Sequence, residues 1–270
     1  MSGPLVSLER REDLAIVTFN NPPRGYLNQA QVGELATHLD TIEGESEIRA
    51  VIFTGGVPGV FIRHYDVGEI EGATAAVKKS GLDAAGLMEA GKRGNAISAL
   101  FDRVDQLSKP TIAAINGYCQ GGGFEFALCC DIRIAEPGDY RIGLPETNIG
   151  IFPGAGGTQR LPRVIGEARA LELILRGKTL DPAEAANVGM VHHLSNGPAL
   201  TLALEIAKDF TNKPARALKD AKALVKSATA TPLAEGCAKE RGLFSALLLE
   251  DKEAADLMAD FMANGEDINT

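Results

Sequence analysis

The sequence predicts an α/β fold. Short apolar segments that end in turn residues alternate along the chain with longer segments in which apolar residues recur every three or four positions, as is typical of strands and helices. With 270 residues, 45% of them hydrophobic, the chain is long enough to bury a substantial core. We therefore expect a globular protein in which strands and helices alternate in sequence.

The first predicted elements are a strand, a helix and a second strand. Segments 14–20 (LAIVTFN) and 49–56 (RAVIFTGG) are short, apolar and rich in β-branched residues, and turn residues follow the apolar run of each. Between them, five apolar residues recur at helical spacing: Val32, Leu35, Ala36, Leu39 and Ile42. This spacing predicts a helix that buries one face.

The middle of the chain continues the alternation. We expect one long helix over about 86–107, strands at 111–117 and 131–136, and a helix in the intervening segment GGGFEFALCC. Segment 68–86 is rich in Gly, Ala and Lys with weak periodicity, which predicts a mobile surface loop or a frayed helix start.

The character of the chain changes after about residue 198. Glycine becomes scarcer, and three successive segments show helical periodicity. We therefore divide the chain into a core, 1–198, and a C-terminal helical region, 199–270.

Charge and composition exclude several functions. Lys and Arg number 27 against 36 Asp and Glu, so the formal net charge is −9, which does not suit phosphate backbones or anionic membrane surfaces. The chain has no run of 18 apolar residues, no apolar core of a secretory signal near its start, and no C-x-x-C pair among its four cysteines. We predict a cytoplasmic protein that binds neither nucleic acid nor membranes.

One carboxylate stands in an apolar segment. Glu125 follows three consecutive glycines in INGYCQGGGFEFALCCD (115–131) and lies between Phe124 and Phe126. An ionised carboxylate in such surroundings is costly, and its pKa is usually raised. Glu125 therefore either interacts with the dipole of a helix that begins there or takes part in chemistry.

A second carboxylate, Glu146, follows Pro145 in a glycine-rich loop, where a solvated residue is the alternative. The glycine run before Glu125 can aim backbone N–H groups at an anion such as an enolate oxygen. Neither that run nor GAGGTQ (154–159) completes a dinucleotide fingerprint or a phosphate-binding loop. Two carboxylates beside an oxyanion donor are the groups needed to activate water and move a proton at carbon.

Other chemistries lack their motifs. The sequence contains no G-x-S-x-G elbow, and its four histidines show no metal-ligand spacing. We therefore predict neither a serine hydrolase nor a metal site.

The chain resembles the enoyl-CoA hydratase/isomerase, or crotonase, superfamily over about residues 14–194. The resemblance lies in Leu27-Asn28, in VIFTGG followed by FIRHYDV (61–67), in INGYCQGGGFE and above all in PETNIGIFPGAGGTQRLPRVIG. It implies a crotonase-like spiral core of repeated β-β-α units that holds the active site. It also implies a C-terminal helical region that mediates homotrimers, often paired into hexamers, and a coenzyme A thioester substrate.

The resemblance further implies the site residues. Backbone N–H groups of Tyr65 and Gly122 form an oxyanion hole for the thioester oxygen, Glu125 and Glu146 are catalytic, and Gly154 helps to position water. The expected reaction is syn addition of water to a trans-2-enoyl-CoA, giving a 3-hydroxyacyl-CoA, in which Glu146 supplies the proton to the α-carbon and Glu125 assists attack at the β-carbon. No cofactor is expected, because coenzyme A is part of the substrate.

The chain departs from the family where Arg63, His64 and Tyr65 replace the usual Ala-Gly-Ala before Asp66. If position 64 needs a positive φ, glycine is the easy solution and histidine an uncommon one. Arg63 is a candidate phosphate contact and Tyr65 a candidate pocket wall, with outward-facing surface residues as the alternative. The predicted substrate-binding residues are Arg24, Arg63, Asp66, Val67 and Gly154.

Two alternatives to hydration stay open. The same enolate stabilisation serves isomerases, acyl-CoA hydrolases and carbon–carbon lyases of the superfamily, although isomerases often lack the first glutamate, so Glu125 favours hydration. A noncatalytic binding protein on this fold is the second alternative, and the retained glutamates and glycine run argue against it.

Overall fold

The computed structural model describes residues 3–265 and 267–268, in which strands and helices alternate. The strands are β1 (Val6–Arg11), β2 (Leu14–Phe19), β3 (Ala50–Gly55), β4 (Val60–Ile62), β5 (Thr111–Ile115), β6 (Tyr118–Gln120), β7 (Ile132–Ala135), β8 (Ile142–Gly143), β9 (Thr179–Leu180) and β10 (His193–Leu194).

The helices follow the same chain order, and a 3₁₀ turn, Glu146–Ile149, comes between α5 and α6. They are α1 (Gln29–Gly44), α2 (Val67–Ser80), α3 (Ala84–Arg93), α4 (Ala96–Gln106), α5 (Gly122–Ala127), α6 (Gly157–Ile165), α7 (Glu167–Leu175), α8 (Pro182–Asn187), α9 (Ala199–Thr211), α10 (Ala215–Ser227), α11 (Leu233–Glu250) and α12 (Lys252–Asn264).

The strands form two sheets. The larger has the order β1-β2-β3-β5-β7-β10, parallel except for the antiparallel pair β1 and β2, and the smaller has the order β4-β6-β8-β9. Successive strands alternate between the sheets, since β3, β5 and β7 lie in the larger and β4, β6 and β8 in the smaller. This alternation is the spiral of β-β-α units, and it confirms the predicted fold class.

Both faces of the larger sheet are covered. Side chains alternate between the faces of a strand, so Val51 and Phe53 of β3 join the main core while Ala50 and Ile52 face the other way, towards α9. Burial on both faces explains why β3 and β5 are apolar except for one buried threonine in each, Thr54 and Thr111. Each large apolar side chain buried in this way stabilises the fold by about 1.5–3 kcal/mol.

The predicted division at residue 198 falls at the start of α9. Three alanines of α9 pack on the larger sheet: Ala199, Ala203 and Ala207. The helices that follow are more peripheral, since α10, α11 and α12 contain no fully buried residue. The division itself stays a prediction.

Two predictions about segment 68–107 were wrong. The long helix at 86–107 is two helices, because Gly94 has a φ of 67° and Asn95 then caps α4, its side chain accepting from the N–H of Ser98 in a capping box. The segment predicted as a loop or frayed start contains α2, whose first turn is capped by the Asp66 carboxylate. α2 contains no buried residue, which accounts for its weak apolar pattern.

Candidate active site

Glu125 is held at the junction of α5 and the loop that precedes α6. Its side chain is buried, and only 3% of the residue is exposed. Oε1 accepts two hydrogen bonds of 2.8 Å, from the backbone N–H groups of Ala155 and Gly157. The carboxylate is thereby fixed in one orientation inside the core.

Opposing effects act on the ionisation of Glu125. Burial raises the pKa of its carboxyl, because the charged form loses solvation. The N–H groups of Gly157 and Ala155 and the positive charge of Arg160 lower the pKa, although burial remains the larger effect. These donors favour the ionised form of a carboxylate that is removed from water.

Glu146 lies in a different environment at the start of the 3₁₀ turn. Both of its carboxylate oxygens are buried, and neither has a hydrogen-bond partner in the part of the chain that the structure describes. Burial raises the pKa of Glu146 to about 7; the nearby backbone N–H of Glu146 itself lowers the pKa, and the negative charge of Glu125 raises it further. With this pKa, a substantial fraction of Glu146 retains a proton near neutral pH.

The two glutamates lie on either side of the glycine run. A methyl group placed on Gly121 would lie 3.3 Å from Oε1 of Glu146, and Gly121 accepts through its carbonyl from the N–H of Glu125. Two carboxyl groups whose pKa values are both raised by burial therefore share one region, as acid and base groups of one site do.

The predicted oxyanion donors are adjacent. A methyl group on Gly122 would lie 3.0 Å from Cβ and 3.3 Å from the backbone nitrogen of Tyr65. Leu27 pairs with Tyr65 through the N–H of Asp66 and the carbonyl of His64, which leaves the N–H of Tyr65 unused. Within residues 3–265 and 267–268, the N–H groups of Tyr65 and Gly122 donate to no protein acceptor.

The unusual side chains before Asp66 are accommodated without a positive φ at position 64. The only non-glycine residue with a positive φ in the described ranges is Glu12. His64 stacks on Tyr26, with 4.3 Å between ring centroids. Tyr65 packs against the core, and its hydroxyl donates to Glu69 Oε2 over 2.5 Å.

The predicted substrate-binding residues lie around this site but do not all converge. Arg63 lies over the Tyr118 ring at 4.3 Å from its centroid, beside a cavity of about 320 Å³, and its Nε donates to the carbonyl of Arg24. The Arg24 side chain is exposed and donates to the Tyr26 hydroxyl.

The other three predicted residues have simpler surroundings. Asp66 caps α2, and Val67 is exposed. Gly154 is exposed and precedes the loop N–H groups that hold Glu125. Of these three residues, Asp66 has an evident structural function.

Sequence reasoning missed three residues that build the site: Ala155, Gly157 and Arg160. The first two donate to Glu125, and the guanidinium of Arg160 donates to the carbonyl of Ala155 over 3.1 Å. The GAGG motif indicates that the backbone comes close to another group, but it does not indicate which group.

The described residues include no group of three or more His, Cys, Asp or Glu side chains that could hold a metal ion, and no helix in them has the length and apolarity to cross a membrane.

The spiral fold and the paired buried carboxyl groups define a class of protein equipped for acid–base chemistry. The family model described as enoyl-CoA hydratase/isomerase matches residues 9–262, beyond the 14–194 predicted from the motifs. The chain belongs to this family.

Similar proteins agree with this assignment. The short-chain-enoyl-CoA hydratase of Clostridium acetobutylicum is 36% identical over 209 residues, covering 77% of this chain and 74% of that protein. The probable enoyl-CoA hydratase echA8 of Mycobacterium bovis is 35% identical over 261 residues, 93% of each chain. The crystal structure of an enoyl-CoA hydratase from Bacillus anthracis superposes with a TM-score of 0.81 at 30% identity, covering 97% of this chain and 100% of that one.

Proposed function

We propose that this protein is an enoyl-CoA hydratase, a hydro-lyase that adds water to a trans-2-enoyl-CoA and forms a 3-hydroxyacyl-CoA. The observation that carries the proposal is the pair of buried carboxyl groups: Glu125 is held by two N–H donors, and the carboxylate of Glu146 has no hydrogen-bond partner among the described residues. The family match and the hydratases among the similar proteins support the same activity.

The two glutamates divide the proton transfers. Glu125 is the base, because two N–H donors and Arg160 favour its ionised form, and it accepts a proton from water as the oxygen bonds to the β-carbon. Glu146 is the acid, because its pKa of about 7 keeps a proton available, and it donates that proton to the α-carbon. In one turnover Glu125 gains a proton from water and Glu146 loses a proton to the α-carbon. Before the next turnover, a proton must therefore pass from Glu125 to Glu146, directly or by exchange with solvent.

The enolate-like thioester oxygen is stabilised by backbone donors. The N–H groups of Tyr65 and Gly122 are adjacent and unused, as an oxyanion hole requires. Each such donor contributes about 3–4 kcal/mol to stabilising the transition state. Gly154, next to the loop that holds Glu125, helps to position the water.

The coenzyme A portion of the substrate carries phosphates that need cationic partners. Arg24 is exposed, and Arg63 uses Nε on a backbone carbonyl while its remaining guanidinium donors have no protein acceptor in the described structure. We assign to both arginines the binding of these phosphates. Asp66, which caps α2, and Val67, its first residue, lie at the entrance of the site. No cofactor takes part, because coenzyme A enters as part of the substrate.

The active form is a homotrimer or a dimer of trimers, held by the C-terminal helices. Leu233, Phe244 and Leu249 of α11 are 83%, 60% and 86% exposed in the single chain, and Met262 of α12 is 82% exposed. Exposed apolar residues concentrated on neighbouring helices mark an interaction surface. Sedimentation equilibrium should give the mass of three or six chains, whereas a monomer at assay concentration would contradict this assembly. The protein acts in the cytoplasm on this proposal.

The activity is tested by following the conjugated enoyl-thioester absorbance over a chain-length panel of trans-2-enoyl-CoA substrates. We expect rapid loss of absorbance with the parent and a reduction in kcat of at least about 100-fold in Glu125→Gln and Glu146→Gln. Glu167→Gln is the matched control, because Glu167 is exposed at the start of α7. Absence of turnover throughout the panel, despite tight binding of the thioesters, would overturn hydration.

A further inference from the structure

Arg160 connects the loop that holds Glu125 to α4. Its Nη1 donates to the carbonyl of Ala155 over 3.1 Å, and its Nη2 donates to Asp102 Oδ1 over 2.8 Å. The N–H of the same Ala155 donates to Glu125. One peptide segment is therefore held from both sides, by the glutamate and by the arginine.

The guanidinium lies directly against the loop backbone. Gly156 has a φ of +104°, and a Cβ at this position would lie 2.1 Å from Nη1 of Arg160. The glycine thus provides both the left-handed backbone and the room for the arginine. The side chain of Arg160 is only 16% exposed, so its hydrogen bonds are partly shielded from competing water.

The charges around the pair are few and can be named. Arg160 of α6 and Glu146 of the 3₁₀ turn act on Glu125, the first lowering its pKa and the second repelling its charge. On Arg160 act the carboxylates of Asp105 and Asp102 of α4. The Cys129 thiol that follows α5 is uncharged, because burial raises its pKa. Asp105 also forms an ion pair with Lys226 of α10, whose Nζ lies 2.7 Å from Oδ1 of Asp105.

We propose that Arg160 is a positioning residue for Glu125. It holds the Ala155 to Gly157 segment so that both N–H groups point at Oε1, and its bond to Asp102 anchors that segment to α4. The proposal rests on the proposed function, because Glu125 is taken as the base of the hydration. In this function Arg160 acts through its contacts with Ala155 and Asp102.

The test compares Arg160→Met with Arg163→Met. Arg163 lies in the same helix and is exposed, and among residues 3–265 and 267–268 its side chain donates only to the carbonyl of Gln159. We expect Arg160→Met to lower kcat about 10- to 100-fold with KM within about threefold of the parent, on the scale of a small displacement of a catalytic group. The acid limb of the kcat/KM profile should move to higher pH, since loss of the cation raises the pKa of Glu125. Arg163→Met should match the parent in both respects.

A double-mutant cycle separates positioning from a structural role. In a Glu125→Gln background, Arg160→Met should cause little further loss of kcat, because the group through which it acts is already gone. An equal loss in both backgrounds would overturn the proposal. If Arg160→Met fails to fold, Asp102→Ala replaces it, because this exposed residue anchors the arginine without reaching the core.

A readout that does not need turnover distinguishes this proposal from the proposed function. Amide hydrogen exchange of Ala155 and Gly157 should accelerate at least about tenfold in Arg160→Met or Asp102→Ala, and not in Arg163→Met. If amide exchange accelerates in a protein that hydrates no enoyl-CoA, the contact between Arg160 and the loop is supported and the proposed hydratase activity is contradicted. If amide exchange is unchanged in a protein that is an active hydratase, only the positioning function of Arg160 is contradicted.

Discussion

The backbone N–H of Gly157 donates to Glu125 Oε1 over 2.8 Å, and a methyl group on Gly157 would lie 3.0 Å from that same oxygen. The missing side chain is therefore what allows the loop to approach the carboxylate. The same methyl group would lie 2.9 Å from Leu144 Cδ1 and from Pro153 Cβ. Because three neighbours surround the position, the loop must move if Gly157 acquires a side chain.

The first prediction concerns Gly157→Ala. The added methyl group displaces the loop and lengthens the bonds to Glu125, so we expect kcat to fall about 10- to 100-fold. Initial rates of enoyl-CoA hydration measure the effect. Gly33→Ala is the control, because this glycine lies in α1 with no atom within 4 Å of an added Cβ. A Gly157→Ala enzyme with the kcat of the parent would contradict the close approach.

The second prediction concerns the N–H of Gly122. Gly122 is the first residue of α5, a position at which proline is compatible with a helix, and proline lacks the N–H. Alanine and proline both place a Cβ at about 3.0 Å from that of Tyr65, so their comparison reports the effect of replacing the N–H by the ring carbon Cδ. We expect kcat of Gly122→Pro to lie about 10²- to 10³-fold below that of Gly122→Ala.

Circular dichroism and thermal unfolding of the two Gly122 variants provide the control. If both are folded and have equal kcat, the N–H of Gly122 does not stabilise the thioester oxygen.

Strands and helices that show a clear local pattern of apolar residues could be predicted from the sequence. The apolar run of β3 and the helical spacing of Leu35 and Leu39 in α1 are local patterns that result from burial, so they can be recognised from the residues of each segment alone. β1 was not predicted, because it is an antiparallel edge strand whose VSLERR segment is mostly polar. The break before α4 had a readable signal in Gly94, Asn95 and Ser98, but the apolar spacing across it masked that signal.

The candidate site divides in the same way. Glu125 and Glu146 could be predicted, since isolated carboxylates and glycine runs are visible in the sequence and a family resemblance assigned them. Arg160 could not, because its partner Asp102 is 58 residues away and the pairing depends on how α4 and α6 pack. The spiral order of the strands was likewise available only through resemblance, because periodicity does not specify which strands are neighbours.

The third prediction concerns the pH dependence of hydration. Glu146 must be protonated to supply the α-carbon, and its pKa is about 7 in the free protein. We therefore expect kcat/KM to fall about tenfold per pH unit well above pH 7. Initial rates from about pH 5.5 to 9, with substrate stability checked at each pH, measure the profile. A constant kcat/KM up to about pH 9 would contradict the assignment of Glu146 as the acid.

The fourth prediction links the same group to stability. The folded protein raises the pKa of Glu146 from 4.5 to about 7, so between these values the folded state holds a proton that the unfolded state has released. The free energy of unfolding should therefore fall as pH rises through this window, by about 3 kcal/mol for the full shift. Below the unfolded pKa the contribution is fully present, and above the folded pKa it is lost.

Glu146→Gln isolates this contribution, because the amide is neutral at every pH in the window. The stability of the variant relative to the parent should increase from pH 5 to pH 8, since only the parent must then bury a charge for which the described part of the chain provides no hydrogen-bond partner. Thermal unfolding at fixed protein concentration measures it, with Glu167→Gln as the exposed control. If the difference between variant and parent is the same at both pH values, the buried charge of Glu146 is compensated by a partner in solution, and its function as the proton donor loses its physical basis.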